Sequence, residues 1–60
     1  MNHKLAMEII ERVGLKKYAV AAACGVSPTT LSEWLHGRRN LTQQQLVRVR
    51  QFFERYMTTD

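Results

Sequence analysis

The chain has 60 residues, nine Lys and Arg against five Asp and Glu, and one cysteine. This length permits one domain and no deep preorganised cleft, which argues against an enzyme. A lone thiol excludes an internal disulfide, and no apolar run is long enough for a membrane span or a signal peptide.

The formal net charge of +4 favours an anionic partner, either nucleic acid or a membrane surface. Cys24 sits in an apolar run and reads as a buried, reduced thiol, which fits a cytoplasmic protein. Glycines at 14, 25 and 37 and the proline at 28 divide the chain into four pieces, each with helical character.

The first piece predicts an amphipathic helix over residues 2–13, with Leu5, Ile9, Ile10 and Val13 inward and Gly14 ending it. The second is short and alanine-rich; Tyr18, Val20, Ala21 and Cys24 define its expected inner face, and Gly25 stops it. The third opens on Ser27-Pro28, a serine N-cap followed by a proline suited to the first helical turn. Leu31, Trp34 and Leu35 share its inner face, and Gly37 ends it. The fourth carries two start signals at one place: Thr42 and Gln45 at capping-box spacing, and Leu41 and Leu46 at hydrophobic-staple spacing. It should run over 43–57 with Leu46, Val49, Phe53, Tyr56 and Met57 inward and Phe52 widening the stripe. Arg48, Gln51 and Arg55 lie opposite. No segment alternates like a strand.

The second and third pieces are short and joined by a glycine turn, so they must cross steeply, with small residues at the crossing. Ala21, four residues before Gly25, lets the backbones approach, while Val20, Cys24, Val26, Leu31 and Trp34 close the wedge. That is the spacing of a helix-turn-helix.

From 17 to 35 the chain resembles the helix-turn-helix of phage repressor and Cro-type regulators, the lambda-repressor-like DNA-binding domains. Val20, Ala21, Gly25, Val26, Ser27, Leu31, Trp34 and Leu35 carry the likeness, followed by Gly37-Arg38-Arg39. It extends more loosely over most of the chain. Two departures stand out. Many relatives start the second helix with a Thr-Gln pair that caps it and touches phosphate, where this chain has Lys16-Lys17. Relatives commonly have five helices, whereas four are legible here. The resemblance implies an all-α, compact bundle of four to five helices. Residues 1–60 then form one DNA-binding domain with its helix-turn-helix at about 17–36.

On such a fold the outer face of the third helix would read bases. Thr29, Ser32, Glu33 and His36 lie opposite its inner stripe. Thr29 suits a thymine methyl or a base edge, Ser32 several bases, and Glu33 the amino group of cytosine. Glu33 also reads as an ordinary surface glutamate with a nearby partner. Pro28 and Thr30 lie at the helix start, where Pro28 can approach a base and Thr30 serves either the DNA backbone or local capping. Phosphate contacts are expected from Lys16 and Lys17 at the second helix's N-terminus and from Arg38, Arg39 and Asn40 beyond the third. His36 points at phosphate or is a plain helix-end histidine. Arg48, Arg50 and Arg55 face solvent, or one of them reaches phosphate, and Trp34 belongs to the core rather than to base stacking. His3 and His36 are isolated, so no metal pattern exists.

One such domain offers few base contacts, so a homodimer, at least on DNA, is expected on a roughly palindromic operator. Phe52, Tyr56 and Met57 are its candidate interface; alternatively they only cover the core. No cofactor, metal, membrane or small-molecule ligand is expected. The leading function is a sequence-specific transcriptional regulator of double-stranded DNA, a repressor of phage or bacterial type. The competing one is a protein-interaction module of the same fold, antirepressor or antitoxin-like. If these 60 residues are the whole protein, control comes from its concentration and from competition for operators; if they are a fragment, the remainder changes that picture.

Overall fold

A computed structural model describes residues 1–57. Four helices follow in order: α1 (His3–Val13), α2 (Lys17–Cys24), α3 (Pro28–Leu35) and α4 (Gln43–Met57). Among the described residues there is no fifth helix and no strand. The residues after 57 lie outside the described part.

Each start has a local cause. Asn2 is the N-cap of α1, its side chain accepting from the Leu5 N–H at 2.8 Å, so the helix begins one residue later than the pattern suggested. Ser27 caps α3 by accepting from the Thr30 N–H at 3.0 Å, with Pro28 in the first turn. Thr42 and Gln45 form a reciprocal capping box at α4: the Gln45 N–H donates to Thr42 Oγ1 at 3.1 Å, and the Thr42 N–H to Gln45 Oε1 at 3.0 Å. Only α2 lacks such a device among these four; its N-cap, Lys16, makes no side-chain capping bond. The departure at Lys16-Lys17 therefore leaves α2 without a side-chain cap.

The sharp bend between α2 and α3 is a Schellman turn. The Gly25 N–H reaches the Ala22 carbonyl at 3.3 Å and the Val26 N–H reaches the Ala21 carbonyl at 3.0 Å. Gly25 adopts φ 73°, a left-handed conformation that a side chain would strain. A Cβ there would also lie 2.9 Å from the Arg48 guanidinium, which α4 lays over the turn. The same turn type ends α3, where the Arg38 N–H meets the Glu33 carbonyl at 2.8 Å.

The core holds twelve buried side chains: Ala6, Ile9, Ile10, Val20, Ala21, Cys24, Leu31, Trp34, Leu35, Leu41, Val49 and Phe53. α2 packs on α3 and α4, and α1 packs on the same two helices from elsewhere. No described polar or charged residue is buried with them. Fully burying a side chain the size of Leu31 or Phe53 contributes about 1.5–3 kcal/mol. Leu46, Phe52, Tyr56 and Met57 are half-buried against this core, so α4 presents the expected stripe.

Three inward assignments fail. In α1 the inner face is Ala6, Ile9 and Ile10, while Leu5 and Val13 are exposed. Ala6 lets α1 approach its neighbours; Leu5 lies off that stripe, and Val13 is the helix's last residue. In α2, Tyr18 is 64% exposed because the helix packs through Val20, Ala21 and Cys24. His3 is not isolated either. Its Nδ1–H donates to the Leu35 carbonyl at 3.2 Å, its ring meets Trp34 edge-on at 6.5 Å, and it lies beside Gly37. It fastens the start of α1 to the end of α3.

Candidate nucleic-acid interface

α3 splits cleanly along its length. Leu31, Trp34 and Leu35 are buried, whereas Pro28, Thr29 and His36 are exposed and Ser32 and Glu33 half-buried. Ser27 and the Gly25 turn fix where the helix starts, and the buried face fixes its rotation. The outward residues are thereby held on a packed element rather than on a loop.

An open concavity of about 540 Å³ lies between α2 and α3. Lys17 and Tyr18 line it from α2, and Pro28, Thr29, Ser32 and Glu33 from α3, with Arg38 contributed by the segment beyond. All four candidate base-reading residues and two of the candidate phosphate contacts therefore meet at one surface. The lining is mixed: two cations, one carboxylate, hydroxyls and apolar surface from Tyr18 and Pro28.

The other candidates are placed around it. Lys16 is exposed at the uncapped start of α2, where the first-turn N–H groups have no side-chain partner and the helix dipole is positive. Thr30 is engaged locally, its Oγ1 accepting a 2.8 Å hydrogen bond from the Ser27 hydroxyl. Its own hydroxyl proton is left to donate. His36 is exposed and is the C-cap residue of α3. Arg38, Arg39 and Asn40 are all exposed in the segment leading to α4.

Glu33 and Arg39 form a contact that the spacing in sequence did not suggest. Arg39 Nε donates to Glu33 Oε1 at 2.7 Å, with 51% and 37% of the respective side chains accessible. A pair this exposed adds little stability, about 0–1 kcal/mol. Its geometric effect matters more, because it holds a carboxylate and a guanidinium together at the border of the concavity.

On α4, Arg48 is exposed as expected, but its guanidinium rests over Gly25 rather than standing free. Arg50 lies 3.8 Å from Glu54. Arg55 covers the rings of Phe52 and Tyr56 at 5.6 and 6.0 Å. Phe52, Tyr56 and Met57 keep part of their surface open while packing on their own core. Cys24 is buried, and burial pushes its thiol pKa up, with the nearby Arg48 charge opposing. No helix among the described residues is long and apolar enough to cross a membrane.

The residue that sequence reading misplaced here is Tyr18. The signal existed: at about 100° per residue it stands roughly 110° from the centre of the Val20, Ala21 and Cys24 stripe.

Comparison with known proteins adds one finding. Searches of curated proteins and of solved structures gave no match. The Helix-turn-helix family model matches residues 7–58, most of the chain and all of α2, the turn and α3. The chain therefore belongs to the lambda-repressor and Cro-like helix-turn-helix family, a family of DNA-binding transcription regulators.

Proposed function

We propose that this protein binds double-stranded DNA sequence-specifically through the major groove and acts as a phage or prokaryotic regulator of Cro or repressor type. The observation that carries the reading is the shared concavity. Thr29, Ser32 and Glu33 line it together with the cations Lys17 and Arg38. Short polar side chains read base edges, and flanking cations neutralise phosphates. Lys16 and the open N-terminus of α2, Thr30, His36, Arg39 and Asn40 extend the phosphate contacts along the groove edges. Pro28 lies at the tip of the inserted helix.

Arg39 reaches phosphate by exchanging or sharing its Glu33 contact. A Glu33 released in this way accepts from a cytosine amino group. On DNA the protein is a homodimer, placing two copies of α3 in successive major grooves about 34 Å apart on a roughly palindromic operator. The surface left open at Phe52, Tyr56 and Met57 supports that pairing.

Selection of bound sequences from a random duplex pool, followed by gel shifts at several salt concentrations, tests the reading. An enriched palindromic motif and a steep fall of affinity with salt are expected. Sedimentation with and without the selected duplex checks the dimer. Absence of any DNA binding by folded protein would favour the protein-interaction module instead.

A further inference from the structure

Tyr18 stands out on the surface. It is 64% exposed, more than any other large apolar side chain described. Its hydroxyl has no hydrogen-bond partner among the described residues. Exposing an aromatic ring on a helix that has a core side available forgoes stabilisation, since such rings bury large apolar areas. Tyr18 also walls the same concavity as Thr29 and Ser32, from the opposite helix.

We infer that Tyr18 is a positioning residue that seats one DNA strand in the concavity, its ring against a deoxyribose and its hydroxyl donating to a phosphate oxygen. The inference rests on the reading that α3 enters a major groove. With α3 inserted, the wall of that groove is a sugar–phosphate strand, and it must pass over the start of α2. The concavity there is lined by apolar surface from Tyr18 and Pro28 and by the Lys17 cation. That mixture matches a nucleotide's backbone, which offers an apolar sugar face beside an anionic oxygen. A flat base edge would meet α3 alone.

The role of Tyr18 is separable from that of Lys17. A lysine that neutralises a phosphate releases a counterion, so its loss flattens the salt dependence by about 0.9 in log–log slope. A phenol is neutral and releases none. It adds affinity at every salt concentration and for every sequence, because it touches no base.

The test uses the full chain, the duplex selected from the random pool, and a random-sequence duplex of equal length. Tyr18→Ala should weaken binding to both duplexes by about 30-fold or more, the scale of a lost hydrogen bond to a charged group plus packing, with the salt slope unchanged. Tyr18→Phe keeps the ring and loses only the hydrogen bond, about 10-fold. Lys17→Ala, the control, should lower the slope. Alanine at an exposed helical site keeps the fold, checked by an unchanged thermal midpoint. Wild-type affinity in Tyr18→Ala would overturn the inference alone, as would a loss confined to the selected duplex, which would make Tyr18 a base reader. Failure of the wild-type chain to bind either duplex would overturn the proposed function together with this inference.

Discussion

The two faces of α3 differ in every respect except their backbone. One carries Leu31, Trp34 and Leu35, all buried, and the other carries Pro28, Thr29, Ser32 and Glu33 around an open concavity. Eight residues thus serve packing on one side and contact on the other. The inner side is constrained by volume, because interiors are close-packed. The outer side is constrained by what approaches it. On the proposed function, the packing that holds the fold and the contacts that read DNA fall on opposite sides of one short rod.

The comparison breaks most visibly through the inner face. Leu31→Ala should lower unfolding free energy by about 2–5 kcal/mol, read from urea denaturation followed by circular dichroism. A domain this size holds only about 5 kcal/mol in reserve, so the variant should be partly unfolded at 37 °C. Thr29→Ala should move stability by less than about 0.5 kcal/mol. If both variants destabilise alike, the two faces are not distinct.

The outer face is probed by binding. Thr29→Ala and Glu33→Gln should each relax preference at one operator position, by about 1–3 kcal/mol between the preferred base and its rivals. Arg38→Ala should weaken selected and random duplexes alike and lower the salt slope by about 0.9. An unchanged preferred site in the Thr29 and Glu33 variants would move the reading face elsewhere on the molecule.

Two smaller effects sharpen the packing side. Thr42→Ala removes one half of the α4 capping box and should cost about 1 kcal/mol of stability, without altering base preference in the fully folded fraction. Cys24 yields the smallest effect. Its thiol pKa is raised by burial, so above the ordinary value of 9.0 the unfolded chain ionises while the folded one stays protonated. Stability contributed by the neutral thiol is complete below that value and is lost as pH rises through it towards the folded pKa. A denaturation series from pH 8 to 10.5 should show this decline diminished in Cys24→Ala.

Much of this division was legible in the sequence. Three glycines, one proline, a serine and the Thr42–Gln45 pair mark helix ends through local bonding, which needs no knowledge of the rest of the chain. The inner face of α3 follows from three large apolar residues at helical spacing. The errors arose where a contact depends on a distant element. Ala6 stands three and four residues before Ile9 and Ile10, on their stripe, but a side chain that small does not mark a core position until α1 is seen to approach its neighbours closely. Arg39 reaches Glu33, His3 reaches Leu35, and Arg48 reaches Gly25 only after the chain has turned back on itself. Tyr18 was misplaced because a phenol is apolar along its ring and polar at its tip, so size alone assigned it to the interior. The family match covers α2 and α3, yet the role of each outward side chain depends on its position beside the other helix.

The His3 clasp on the Leu35 carbonyl has a practical consequence for anyone handling this protein. Whatever is grafted ahead of Met1 begins within one helical turn of a bond that steadies the far end of α3. On the proposed function α3 is the inserted helix, so apparent affinities measured with tagged and cleaved material need to be compared before either is taken as intrinsic.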